Sequence, residues 1–183
     1  TIFHNCDPIS YSKGASIIRM LEQFLGPEQF RNGLYRYLSA HIYGNARTTH
    51  LWEAMEESSG QSVATMMDSW TRQMGYPVVN ADVHRMDGYI ELHLSQTRFL
   101  YTGDKPDATL WQIPIQVVGK GITENPATLL TERVGDFRLD LDVPISNENI
   151  WLKVNASQTG FYRVQYSADE WDRFVPAIEA LEV

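Results

Sequence analysis

The sequence predicts an α+β fold, with helices first, then a β-sandwich of about seven strands, then the start of a further helical domain. Three observations carry this reading. Apolar residues recur at helical spacing from Ile9 to Met74, and beyond Pro77 the period shortens towards two. Near the end of the chain, Ser167-Ala-Asp-Glu170 has the form of a helix-opening capping box. The expected division is residues 1–76, 77–166 and 167–183.

In the first helix Ile17, Met20, Leu21, Phe24 and Leu25 form one buried stripe. Gly26-Pro27 ends it and opens the next, glycine for the left-handed cap and proline for the first turn. A second helix is expected to bury Phe30, Leu34, Tyr37 and Leu38. Thr48 or Thr49 is expected to cap a third, which carries Leu51, Trp52 and Met55. Ser62 is expected to cap a fourth, with Val63, Met66, Met67 and Trp70 inward.

After Pro77, runs 79–84 and 89–94 flank Met86-Asp87-Gly88, and Asp-Gly is a strong tight-hairpin signal. Further strand-like runs cover 111–118, 128–132, 137–141, 150–154 and 161–166, separated by Gly, Pro, Asn and Asp. Short strands without an intervening helical pattern read as a sandwich. After Ser167, the residues Trp171, Phe174, Val175, Ile178 and Leu181 return to helical spacing. Thr1 in place of an initiating methionine, and a helix that opens so late, suggest a piece of a larger protein.

Composition narrows the function. The chain has 23 acidic residues against 15 basic, a net charge of −8, and its basic residues form no run. A nucleic-acid partner needs a clustered positive surface and is not expected. No apolar stretch approaches the roughly 20 residues of a membrane span. The single cysteine, Cys6, excludes an internal disulfide and leans towards a reducing compartment such as the cytoplasm without fixing it.

The five histidines, at 4, 41, 50, 84 and 93, include no pair at the i, i+4 spacing of a helical zinc hydrolase site. His4, Cys6 and Asp7 are close in sequence but do not complete a ligand set. His84 and His93 could meet across the hairpin, where a solvent-facing role is the simpler expectation. No G-x-S-x-G elbow occurs, and Gly119-Lys120-Gly121 lacks the spacing of a phosphate loop. Glu56 and Glu57 are expected on a solvated helix face. Read this way, the residues assemble no self-sufficient active site.

One run stands apart, from Asp7 through Tyr11, Lys13, Gly14 and Ala15 to Leu21. It resembles the stretch following the zinc site in the aminopeptidase N / puromycin-sensitive aminopeptidase family, where a Y-x-K-G-A motif opens a helix. The resemblance continues in family order at Asn45-Ala46, Leu51-Trp52, Trp70 to Pro77, Gln96 to Phe99, Trp111 to Pro114 and Gly160 to Val164. It implies the tail of a thermolysin-like catalytic domain, then the sandwich, then the first helix of a C-terminal helical domain.

The resemblance also implies a role for Tyr11. In that family the matching tyrosine donates a hydrogen bond to the oxyanion formed as a peptide carbonyl is attacked at zinc. Lys13, Gly14 and Ala15 would shape the helix start, and Asp7 would support its N-terminus. The family's H-E-x-x-H motif, third zinc ligand and G-A-M-E-N substrate-amine site are absent from these residues. The expected parent is therefore a zinc aminopeptidase acting on peptide substrates, whereas this chain alone is expected to be inactive and to bind no catalytic zinc. It is also expected to self-associate through a face left uncovered. The alternatives are a non-catalytic sandwich module that serves binding or scaffolding, and a pseudo-enzyme parent.

Overall fold

Helical periodicity before Met74 becomes a π-helical turn, Pro8–Lys13, and four α-helices: α1 (Gly14–Leu25), α2 (Pro27–Ala40), α3 (Thr48–Ser59) and α4 (Val63–Thr71). The computed structural model describes residues 8–101, 108–122, 128–142 and 150–180. Its chain divides into two units, one running to Met74 and including Thr159–Phe161, the other Gly75–Gln158 with Tyr162 onward.

The first unit buries Ile17, Met20, Leu21 and Leu25 of α1, Trp52 and Met55 of α3, and Val63, Met66, Met67 and Trp70 of α4. Gly26, at φ 82°, takes the conformation that separates α1 from α2, and Pro27 opens α2. Helix α2 departs from expectation, because Gly33 alone among its residues is fully buried and Leu38 is exposed. The cause is a close backbone approach to α3. A Cβ at Gly33 would lie 2.5 Å from Met55 Sδ, and Ser58 Oγ donates to the Gln29 carbonyl at 2.9 Å.

Two helix starts are also capped differently than expected. Arg47, not a threonine, is the N-cap of α3, and its amide donates to His50 Nδ1 at 3.3 Å. Ser62 holds the N-cap position of α4 without a side-chain bond. Glu56 of α3 accepts from the Ala64 amide at 3.0 Å instead. A carboxylate at a helix N-terminus satisfies a free N–H and complements the macrodipole, so Glu56 is not merely solvated. Glu57 stays exposed and pairs with Arg36 at 2.9 Å.

The second unit holds strands β1 (Pro77–Met86), β2 (Tyr89–Arg98), β3 (Ile113–Ile115), β4 (Val117–Gly119), β5 (Thr128–Leu130), β6 (Val134–Asp140), β7 (Leu152–Val154) and β8 (Arg163–Gln165), then helix α5 (Ala168–Glu179). Strands β1 and β2 pair along their full length around Asp87-Gly88, with Gly88 at φ 81°. The largest sheet has the order β6-β2-β1-β8, and β8 lies parallel to β1. Strand β3 pairs with β5, and β4 with β7.

The expected run 111–118 is two strands because it changes partner at Gln116. That carbonyl leaves the ladder to accept from the Asn155 and Ala156 amides, at 2.8 and 3.2 Å. Ile90, Leu92 and Leu94 line the inner face of β2, and Gln96 continues the same buried row. Gln96 Nε2 donates to the carbonyls of Trp111 and Glu132, both at 2.9 Å, while its Oε1 accepts from the Trp111 amide at 2.9 Å.

At α5, Ser167 Oγ accepts from the Glu170 amide at 3.3 Å, as a capping residue should. The Glu170 carboxylate does not return to close a box; it turns to Arg85. The helix buries Phe174 and Ala177 against Trp151, with Tyr166 packed alongside.

Candidate functional site

Tyr11 lies in the π-helical turn that leads into α1. Lys13, at φ −65° and ψ −46°, is itself helical, so the turn continues into α1 without a side-chain cap. A π-turn closes its hydrogen bonds one residue further on than an α-turn; such turns are rare and occur frequently at functional sites. The Tyr11 side chain is 73% exposed. Its phenol meets no hydrogen-bond partner among the described residues. A phenol in this state can donate its proton to an external acceptor.

Around the turn, Ser12 and Ala15 stay exposed while Lys13 is drawn inward. The Ser16 hydroxyl donates to the Ser12 carbonyl at 2.8 Å. Lys13 is half-buried; its ammonium lies 3.4 Å from the Gln73 carbonyl and 5.9 Å from the centre of the Phe161 ring. Burial lowers the Lys13 pKa below its usual 10.5. Phe161 meets Trp70 edge-on at 6.4 Å, and its amide donates to Met20 Sδ at 3.4 Å. Phe161 was expected at the start of the last strand. It joins the helices instead, and β8 begins at Arg163. Sequence reasoning missed this group, and the only signal for it was an aromatic residue beside Gly160 in an otherwise strand-like run.

The remaining motif residues are structural. Trp52, Trp70 and Trp111 are buried, and Gln96 ties strands together as described. Tyr162 is buried, donates to the Pro114 carbonyl at 3.2 Å, and has its phenol pKa pushed up by that burial. Gly75, at φ 87°, packs against Arg98. Tyr76 stacks on Phe99 at 5.0 Å, and the Arg163 guanidinium lies over both rings.

The histidine pairs are spoken for locally. His41 and His50 stack at 4.6 Å, while His41 Nδ1 donates to the Tyr37 carbonyl. His84 and His93 do meet, edge-on at 5.1 Å, and each binds an aspartate, Asp82 and Asp136 respectively. Among the described residues no three His, Cys, Asp or Glu side chains converge to hold a metal, so these residues do not fit a zinc site. His4, Cys6 and Asp7 lie outside the described residues. No described helix is long and apolar enough to cross a membrane.

Residues 2–70 match the Peptidase family M1 domain. Aminopeptidase M1-A of Oryza sativa subsp. japonica is 43% identical over 175 residues, covering 95% of this chain and 19% of the relative. Aminopeptidase M1 of Arabidopsis thaliana is 41% identical over 169 residues, covering 87% of this chain and 19% of the relative. Glutamyl aminopeptidase of Sus scrofa is 39% identical over 176 residues, covering 91% and 17%. The chain thus spans under a fifth of the length of these relatives. The domain match takes in the whole Tyr11 turn, and the relatives extend the similarity to M1 aminopeptidases across both units.

Proposed function

We propose that this chain is part of a zinc aminopeptidase in which Tyr11 stabilises the oxyanion of the transition state as N-terminal residues are hydrolysed from peptides. The observation that carries this is the position of Tyr11: an outward phenol, 73% exposed, within the segment matching the M1 domain. The relatives' names supply the reaction class, since all three are aminopeptidases.

Zinc held by residues outside this set would polarise the carbonyl and activate water. The part played by the chain's own residues is narrower. The Tyr11 O–H donates to the carbonyl oxygen as negative charge develops there, and a preorganised donor of this kind contributes about 3 kcal/mol. The donation is strongest in the transition state, so it raises turnover more than affinity. The isolated chain, whose described residues converge on no ligand set, is proposed to be inactive and zinc-free.

The test is Tyr11→Phe in the full-length protein, with turnover of an aminoacyl arylamide and zinc content both measured. A fall in kcat of about 10²–10³ with zinc retained is expected. Unchanged turnover would reduce Tyr11 to a packing residue.

A further inference from the structure

An exposed phenol is a weak catalyst unless something fixes its direction, because an oxyanion donor works by being in place before charge appears. Little packing can supply this at Tyr11, which is 73% exposed, or at its exposed neighbour Ser12. The turn itself is π-helical, and isolated turns of this type owe their persistence to tertiary context. Among residues 11–13 of the turn, the side chain that reaches into the unit is that of Lys13, two residues beyond Tyr11.

We propose that Lys13 is a positioning residue for Tyr11, its ammonium pinning the last residue of the π-turn between the Gln73 carbonyl and the face of Phe161. The ammonium reaches the carbonyl at 3.4 Å and the ring centre at 5.9 Å. Each anchor is itself held. Gln73 follows the C-cap of α4, where the negative end of the helix dipole favours a cation, and its Nε2 donates to the Ser69 carbonyl at 2.9 Å. Phe161 is fixed by the buried Trp70 ring and by Met20 Sδ. The face of an aromatic ring attracts a cation, more so when water is partly excluded. Lys13 thereby couples the turn to a segment nearly 150 residues further along the chain. The lowered pKa of Lys13 agrees with an ammonium drawn out of water.

This inference rests on the reading of Tyr11 as the oxyanion donor, and its test separates the two. In the full-length protein, Lys13→Met keeps an unbranched apolar stem but removes the charge, whereas Lys13→Arg keeps the charge. Lys13→Met is expected to lower kcat about tenfold with KM changed less than about twofold, and Lys13→Arg to recover most of the loss. In a Tyr11→Phe background, adding Lys13→Met should change kcat less than about twofold, because Lys13 acts through a group already removed. Amide hydrogen exchange over residues 11–16 should quicken in Lys13→Met and not in Lys13→Arg. An equal loss from Lys13→Met in both backgrounds, or unaltered exchange at the turn, overturns the positioning role and leaves Tyr11 standing. Wild-type turnover in Tyr11→Phe removes the donor itself, and with it the catalytic consequence assigned to Lys13.

Discussion

The guanidinium of Arg85 and the carboxylate of Glu170 meet through two parallel hydrogen bonds, Nη1 to Oε1 at 2.5 Å and Nη2 to Oε2 at 2.7 Å. Both side chains are nearly buried, at 11% and 7% exposure, and Arg85 Nε also donates to the Ile150 carbonyl at 3.0 Å. The pair thus fastens α5 to β1. Removing one partner leaves the other charge buried, which costs about 3 kcal/mol, while removing both together costs far less. Arg85→Met should therefore lower unfolding free energy by about 3 kcal/mol in urea titration, and Arg85→Met with Glu170→Met should restore most of it. Additive losses in the double variant would mean that the pair is not the fastening.

Gln96 makes a comparable prediction from neutral groups. Its amide satisfies the Trp111 N–H and the carbonyls of Trp111 and Glu132, away from water. Gln96→Leu preserves bulk and hydrophobic alternation but orphans these backbone groups, and each orphaned group costs about 1–3 kcal/mol. A loss of about 3 kcal/mol is expected by thermal or urea unfolding. A neutral result would show that water or a shift of the strand ends replaces the amide.

Gln96 and Glu170 mark where legibility in the sequence ends. Ile90, Leu92 and Leu94 alternate, so β2 can be read from its period, and Asp87-Gly88 announces its turn. Gln96 interrupts that apolar row, and its partners lie 15 and 36 residues away. Local pattern cannot supply them. Glu170 reads as half of a capping box until a guanidinium from β1 outcompetes the neutral amide. The burial of α2 escapes the sequence pattern for a related reason, since Gly33 carries no apolar signal although it sets the approach to α3. The candidate site was legible in another way. An exposed tyrosine has no periodicity to betray it, and only the ordered motif around Tyr11 singles it out.

Helix α2 leads to a prediction about association. Tyr35, Leu38 and Ile42 lie at spacings of three and four and are 73%, 62% and 65% exposed, with Tyr43 beside them. Large apolar side chains exposed this close together in sequence, on α2 and just beyond its end, favour contact with another surface. The isolated 183-residue chain is expected to self-associate as its concentration rises in light scattering, and Leu38→Glu with Ile42→Glu to keep it monomeric. A monodisperse monomer for the unaltered chain at high concentration would reject this.

The last prediction concerns pH. His93 of β2 stands opposite Asp136 of β6 on one side and Asp82 of β1 on the other. Its Nδ1 bonds Asp136 at 2.5 Å, Glu91 lies two residues away on the same strand, and the His84 ring, bound to Asp82, packs against it. The hydrogen bond to Asp136 is the largest influence and raises the imidazole pKa above 6.5, with the charges of Asp136, Glu91 and Asp82 adding to it. A basic group whose folded pKa exceeds its unfolded value stabilises the fold fully below the unfolded value. That contribution is lost as pH rises through the folded pKa. Thermal stability of the wild type relative to Asp136→Asn should thus be greatest below about pH 6 and should shrink as the solution becomes alkaline. The His93 ring, followed by NMR, should titrate above 6.5 in the wild type and move down in Asp136→Asn. An unchanged titration midpoint in that variant would show that the aspartate does not hold the charge on His93.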